Sequence, residues 1–358
     1  MKRVGILTGG GDCAGLNAVI ASIIKAGVYN GGYEFVGFLK GWNGILDKKY
    51  RFLGLSDIHG ISSLGGTILG TTNHGRFNAK GSGDGQEIPR QVLEEAKHNL
   101  DELGVEGLIV IGGDGTLSGA LQLAKLGVNI IGVPKTIDND LSGTDQTFGF
   151  SSAVDVAVES LDRIHTTATS HERVFFVECM GRNAGWIALH AGLASSANVI
   201  LMPEFALDIP SLIDFLRLRI ATHGSAVVVV AEGLAASYKQ KVISAEYADR
   251  EIALVGASSL VMHDIEQRCP GEFEMRGAVL GHTLRGGSPN SVDRILSKRY
   301  GLEAFEAYDR GDFGSMVRIH DGIIDTVSIA EAVGKSKVVT HDNPLYLTAQ
   351  RLGTYVNW

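Results

Sequence analysis

The sequence predicts an α/β protein of two domains, and three observations carry that expectation. Short, fully apolar runs alternate with longer stretches of helical periodicity, as parallel strands do when helices cover both faces of their sheet. The alternation persists beyond residue 150, where one continuous sheet would become wide. The chain is 358 residues long, about twice a common domain length. No Pro/Ser-rich linker divides it, so the chain is expected to cross between the domains more than once.

Taken in order, residues 4–8 form a strand and 16–28 a helix, because Leu16, Val19, Ile20, Ile23, Ile24 and Val28 recur at helical spacing. Strand 108–111, helix 117–126 and strand 129–133 follow. Helix 151–165, strand 174–178, helix 185–194 and strand 199–202 continue the series. Helix 211–221, strand 226–231 and helix 290–309 close it. The segment from Lys335 to Trp358 reads as a helix plus connection and suggests no chemistry.

Composition narrows the function classes. A chain that is 44% hydrophobic and 20% charged has ample material for a core. Its net charge of −8 opposes polyphosphate backbones, so nucleic acid is not expected as a partner, while a local basic pocket for a small anion is compatible with it. Met-Lys-Arg leads directly into the first strand, with no signal-peptide core. No apolar stretch approaches the roughly 18 residues of a membrane span. Cys13, Cys179 and Cys269 are scattered without metal-ligand spacing, and a reduced, cytoplasmic setting is expected. The unusual count is glycine, 47 residues, gathered at 9–15, 65–70, 112–119 and 281–287. Glycine clusters between ordered elements let backbone turn tightly or approach a ligand closely. They point to phosphate.

Three motifs sharpen that reading. Thr8-Gly9-Gly10-Gly11-Asp12-Cys13-Ala14-Gly15-Leu16-Asn17 joins the first strand to the first helix, where free N–H groups and a partial positive charge await an anion. It fits neither the Walker loop nor the dinucleotide spacing, and a tight turn alone is its plainer explanation. Ile111-Gly112-Gly113-Asp114-Gly115-Thr116 embeds an acid among glycines at another strand–helix junction. Asp114 can hold magnesium against phosphate oxygens bound by the backbone, or simply cap the helix. Pro134-Lys135-Thr136-Ile137-Asp138-Asn139-Asp140 follows the next strand. There Asp138 can accept a proton from an attacking hydroxyl while Asp140 orders the loop or the metal. Lys135 can offset charge on a transferred group; a solvated acidic turn is the plainer reading. Arg173, Arg182, Arg276 and Arg285 stand near strand ends or glycine turns, and the guanidinium fork suits phosphate oxygens.

With Met180-Gly181-Arg182 and the segment Gly281-His282 through Arg285-Gly286-Gly287-Ser288-Pro289, these motifs resemble the phosphofructokinase family from about residue 3 to about residue 330. The resemblance implies two Rossmann-like three-layer α/β/α domains with the active site in the cleft between them. It implies a donor domain at residues 1–145 plus about 265–320, and a sugar-phosphate domain at about 146–264 plus the C-terminal segment. Gly11, Gly113, Asp114, Gly115 and Thr116 would bind the ATP phosphates, with Asp114 on Mg2+. Asp138 would be the base for the 1-hydroxyl of fructose 6-phosphate, supported by Thr136 and Asp140, with Lys135 assisting. Arg182 would stabilise the transferring phosphoryl and, with Met180 and Gly181, contact the sugar. Glu232, His282 and Arg285 would hold the sugar phosphate. Arg173 and Arg276 would reach the active site of a neighbouring subunit, so a homodimer or homotetramer is implied.

Two positions bear on the donor and pull apart. Pyrophosphate-using members of the family carry an aspartate where this chain has Gly115, and the open space favours ATP. Those same members carry a lysine at the position of Lys135. A steric block is harder to evade than a missing cation, so ATP is the expected donor and pyrophosphate the alternative. The family's bridging arginine is displaced here by Thr71-Thr72-Asn73-His74-Gly75, and Arg76 is the candidate for its role. At the family's bacterial effector site the chain has Ala21, His165 and Asn198, with Ala221-Thr222-His223-Gly224 in place of a lysine-rich stretch and Lys25 as the cation that remains. A dehydrogenase would need regular glycine spacing, which fails at residues 9–15. A non-catalytic homologue would be expected to lack Asp114, Asp138 or Arg182, and all are present. Sedoheptulose 7-phosphate is the alternative acceptor, since these motifs do not report pocket shape.

Overall fold

A computed structural model describes residues 1–72, 74–77, 87–236 and 256–357. The chain divides into two compact units: residues 1–137, 141–152 and 285–336, and residues 138–140, 153–284 and 337–358. It passes from one unit to the other five times along its length.

The first unit holds a seven-stranded sheet in the order β11-β10-β5-β4-β1-β2-β3. Its strands are β1 (Lys2–Thr8), β2 (Tyr33–Phe38), β3 (Tyr50–Leu53), β4 (Gly107–Gly112), β5 (Asn129–Pro134), β10 (Ser315–His320) and β11 (Ile323–Ser328). Pairing is parallel from β10 through β2, and β3 and β11 add antiparallel edges. Strand β4 is buried along its whole length, as a strand covered on both faces must be. On one face Leu7, Val36, Leu108, Val110 and Ile130 meet α2 (Trp42–Leu46), α3 (Arg90–Glu102), α4 (Asp114–Ala124) and α10 (Ile329–Ala332). Helices α1 (Leu16–Asn30) and α9 (Ser291–Arg310) pack on each other and on the sheet. Because β2 lies on one side of β1 and β4 on the other, strand order reverses at β1, where open α/β sheets bind ligands.

The second unit holds a five-stranded, wholly parallel sheet in the order β12-β7-β8-β6-β9. Its strands are β6 (Val174–Cys179), β7 (Val199–Leu201), β8 (Ala226–Ala231), β9 (Met275–Val279) and β12 (Tyr355–Val356). Val174, Phe176, Val199, Leu201, Val228 and Val230 form a core with α7 (Ile209–His223) and α8 (Ala257–Arg268). Helices α6 (Trp186–Ala194) and α11 (Pro344–Arg351) pack together, with α6 also on β7 and β8. Helix α5 (Phe150–His171) begins in the first unit and continues in the second.

The expected elements are present, with ends shifted by a few residues; the widest shift is α5, which runs six residues beyond the expected 165 to His171. The unit boundaries differ from expectation: residues 265–284 belong to the second unit, because β9 pairs with β6 and α8 covers the same sheet, residues 138–140 also belong to it, and residues 146–152 and 321–336 belong to the first. The C-terminal segment is a helix followed by a strand, not a connection: Tyr355 and Val356 pair in parallel with Val199 and Ile200.

Candidate active site

In the first unit the ends of β1, β4 and β5 stand side by side; glycine-bearing turns leave β1 and β4, and the glycine-free loop beginning at Lys135 leaves β5. Gly9 N donates to Ile111 O at 2.9 Å, and Lys135 N to Gly112 O at 2.9 Å. The Thr116 side chain fills the space between two of these turns: a Cβ at Gly9 would lie 2.6 Å from it, and one at Gly112 would overlap it. Gly10 and Gly15 have φ of 78° and 107°, a left-handed backbone that glycine adopts without strain.

Two cations bracket the glycine turn after β1. Lys135, only 3% exposed, donates from Nζ to the Gly11 carbonyl. The Arg285 guanidinium lies over Gly11, where any side chain would overlap it, and donates to Asp12 O at 3.2 Å. Burial pushes the Cys13 thiol up to about 12 despite the nearby charges of Lys135 and Arg285. Cys13 is therefore a packing residue, not a nucleophile.

Asp114 is the first residue of α4, half-buried, and its Oδ1 accepts the Gly334 N–H at 2.7 Å. A hard carboxylate at a helix N-terminus beside glycine backbone suits magnesium, which takes one or two carboxylates plus phosphate oxygens. The Thr147 hydroxyl donates to Thr136 O at 2.6 Å, pinning the start of the loop that leads to Asp138. Arg76 forms a two-pronged pair with Glu95 of α3, at 2.8 and 2.9 Å, and is exposed. Such exposed pairs contribute little to stability.

In the second unit Asp138, Asn139 and Asp140 meet the turns that leave β6 and β8. Asn139 has φ of 51°, a left-handed conformation uncommon outside glycine and tolerated best by asparagine and aspartate. Asn183 Nδ2 donates to Asp140 Oδ2 at 3.3 Å, which ties this loop to the turn bearing Met180, Gly181 and Arg182. Gly181 has φ of 136°, and Gly233 N donates to its carbonyl at 3.0 Å. Any side chain at Gly233 would overlap the Arg182 carbonyl. The Cys179 thiol is pushed up by burial first, then by the carboxylates of Glu232, Glu178 and Asp138, which places those three acids around the end of β6. Glu178 is buried and accepts from Ser258 N and Oγ at 2.9 Å each, capping α8. Met180 is buried, Arg182 is exposed, and His282 is exposed on the short turn after β9.

Not every predicted residue joins these clusters. Arg173 precedes β6 and Arg276 lies opposite Phe175 on β9. Both are therefore at the end of the sheet away from Arg182, roughly 15 Å or more along the strand. Both turn instead to one carboxylate, Glu274, at 2.7 and 2.8 Å. Arg285 belongs to the first unit and Glu232 and His282 to the second. Sequence reasoning missed Asn183, Glu178, Glu274 and Lys337. Asn183 adjoins the Met-Gly-Arg motif and carried a signal; Glu178 and Lys337 act through partners distant in sequence, and Glu274 pairs with nearby Arg276 and distant Arg173.

Two α/β units, with most of the candidate site residues in turns that follow parallel strands, have the architecture in which open α/β sheets bind ligands. The family profile described as Phosphofructokinase matches residues 3–308. This chain belongs to the phosphofructokinase family. It is 46% identical over 347 residues to a protein of Streptomyces coelicolor named pyrophosphate–fructose 6-phosphate 1-phosphotransferase, covering 96% of this chain and 97% of that one. It is also 46% identical over 355 residues to an ATP-dependent 6-phosphofructokinase of Chloroflexus aggregans, covering 98% and 97%. The solved structure of Pichia pastoris phosphofructokinase in the T-state matches 92% of this chain and 35% of that one, with a TM-score of 0.78 and 28% identity. The pyrophosphate-dependent phosphofructokinase of Nitrosospira multiformis matches all of this chain and 92% of that one at a TM-score of 0.80. At 20% identity the latter likeness concerns the fold alone.

Proposed function

We propose that this protein transfers the γ-phosphate of ATP to the 1-hydroxyl of fructose 6-phosphate, giving fructose 1,6-bisphosphate. The observation that carries the reading is the pairing of β4 with β5, which sets the Asp114 turn beside the strand that leads into Asp138. In the reaction the 1-oxygen forms a bond to the γ-phosphorus, the bond from that phosphorus to the ADP oxygen breaks, and the hydroxyl proton passes to Asp138. Phosphoryl transfer asks mainly for positioning and charge neutralisation, and Lys135 and Arg182 are the cations assigned to the transferring group. Asp114 would hold magnesium, which would neutralise donor phosphate charge when bound. Glycine backbone around residues 11 and 113–116 receives the donor phosphates. Met180, Gly181, Glu232 and His282 receive the sugar phosphate, and Arg285 stands where it can contact a phosphate at the Gly11 turn. Arg76 exchanges Glu95 for substrate.

Pyrophosphate is the second reading of the donor, and Lys135 favours it: its ammonium is already directed at the glycine turn, and some relatives are named as pyrophosphate enzymes. Gly115 supports ATP, since an aspartate there would repel the α-phosphate. Fructose 1,6-bisphosphate formation with Mg2+, comparing ATP and pyrophosphate at matched concentrations, decides between them. Turnover with pyrophosphate alone would overturn the ATP reading, and silence with both would overturn the acceptor as well, with sedoheptulose 7-phosphate next to be tried.

A homo-oligomer goes with this function, because Arg173 and Arg276 stand too far along their own sheet to serve Arg182 and Glu232. Sedimentation velocity should give a dimer or tetramer, and a fully active monomer would exclude the shared site. A cytoplasmic setting goes with the three buried, free cysteines; among the described residues no helix is long and apolar enough to cross a membrane.

A further inference from the structure

The segment after residue 333 lies beyond the region matched by the family profile, yet it runs along the loops on which the proposed reaction depends. In the first unit Gly334 N donates to Asp114 Oδ1 at 2.7 Å, Ser142 Oγ donates to Lys335 O at 2.9 Å, and Ser336 bridges Leu141. In the second unit Lys337 takes over. Its N–H donates to the Asp140 carbonyl at 2.7 Å, and its ammonium donates to Asn139 Oδ1 at 3.1 Å. Its own carbonyl accepts Trp186 Nε1 at 2.8 Å, and the ammonium lies 5.8 Å from the centre of the Trp186 ring. Lys337 is thus fixed on one side by Trp186 and grips the Asp138–Asp140 turn on the other by main chain and side chain.

The grip falls at the one residue of that turn with an unusual backbone. Asn139 is left-handed, with φ of 51°, and a non-glycine residue keeps that conformation when its surroundings hold it. The direction in which Asp138 leaves the chain follows from it.

We infer that Lys337 is a positioning residue for the proposed base: it holds the left-handed turn at Asn139 and thereby aims Asp138 at the acceptor hydroxyl. The inference rests on the kinase reading above. Lys337 acts through Asn139, not on substrate.

The test is a double-mutant cycle on the full chain, with steady-state kinetics on fructose 6-phosphate using whichever donor the wild type accepts. Lys337→Met should lower kcat on the order of tenfold to a hundredfold, the size of effect expected from a small misplacement of a reacting group. The KM for fructose 6-phosphate should change by less than about threefold, because positioning is lost and not binding. Lys337→Arg, which keeps a donor, should recover most of kcat. Asn139→Gly adopts the left-handed turn unaided, so adding Lys337→Met to it should cost about twofold or less. An equal cost of Lys337→Met on both backgrounds would overturn the inference, as would a kcat within twofold of wild type for the single variant. Should Lys337→Met not fold, Lys337→Leu, which also lacks a donor, carries the same comparison. A wild type silent with every donor and acceptor removes the kinase reading and this inference together, whereas an active wild type with an indifferent Lys337 removes the inference alone.

Discussion

Asp138 and Glu204 are both carboxylates of the second unit, and their surroundings give them different work. Asp138 shares the end of β6 with Glu232 and Glu178 and adjoins a left-handed turn. Removing its basicity should lower kcat by about 10²–10⁴-fold, the usual range for a positioned general base. Asp138→Asn, assayed at saturating substrates, checks this, and a kcat within threefold of wild type would remove Asp138 from the mechanism. Glu204 accepts Gly185 N at 2.9 Å and Val339 N at 3.0 Å through Oε1, while Oε2 is buried without a hydrogen bond among the described residues. It borders a cavity of about 400 Å³ with Asn183, Phe205 and His341. Burial raises its pKa, and the two N–H bonds oppose that rise without cancelling it. The folded state therefore holds this proton more tightly than the unfolded chain, whose carboxyl titrates near 4.5. Stability from Glu204 is full below that value and declines as pH climbs through the raised folded pKa. Glu204→Gln should gain in Tm relative to wild type as pH rises from 4 toward neutrality. A difference in Tm that stays constant with pH would contradict this.

At the scale of elements, the strands carrying the site turns announce themselves because both of their faces are buried. Strands β4 and β8 read as unbroken apolar runs, and a two-sided core leaves no other composition open to them. The sequence did not disclose β2, β3, β9, β10, β11 and β12, and two of these show a physical reason. Strand β9 is a sheet edge with Arg276, Gly277 and Val279 exposed, so it lacks that run. Strand β12 is two residues long, and its place is fixed by Asn357, which is fully buried. Asn357 Oδ1 accepts Met202 N, and Nδ2 donates to Met202 O and Phe205 O, all at 2.8 Å. Asn357→Ala leaves buried backbone groups unpaired, at about 1–3 kcal/mol for each group that water cannot reach. A fall of roughly 2–4 kcal/mol in unfolding free energy, measured by urea titration, is expected. A loss below about 0.5 kcal/mol would mean that the C-terminal strand does not hold the second unit.

For the molecule as a whole, the question is control. Three positions that the family resemblance would assign to an effector site, Ala21, His165 and Asn198, offer no cation. Ala21 is buried at 2% exposure. His165 has its pKa lowered, chiefly by burial, and is neutral at physiological pH. Asn198 spends its side-chain oxygen on Val227 N at 2.9 Å. An anion arriving at such groups gains little. Steady-state kinetics should show neither strong activation by ADP nor strong inhibition by phosphoenolpyruvate, and a several-fold response to either would overturn this account.

The sequence by itself determined the α/β class, the main strands and the turns that bear Gly11, Asp114, Asp138 and Arg182. Each is a local matter of apolar periodicity, of glycines in a strand–helix turn, or of charged residues set directly after a strand. It also disclosed, through the spacing of four motifs, the family to which the chain belongs. What only the tertiary structure decided are the contacts closed over long stretches of chain. Arg285 lies on Gly11, Arg173 and Arg276 share Glu274, residues 265–284 join the second sheet, and the tail from Gly334 to Lys337 serves the turns at Asp114 and Asp140. No residue pattern announces such pairings, because each depends on where two distant segments emerge from their sheets and not on the neighbours of either in sequence.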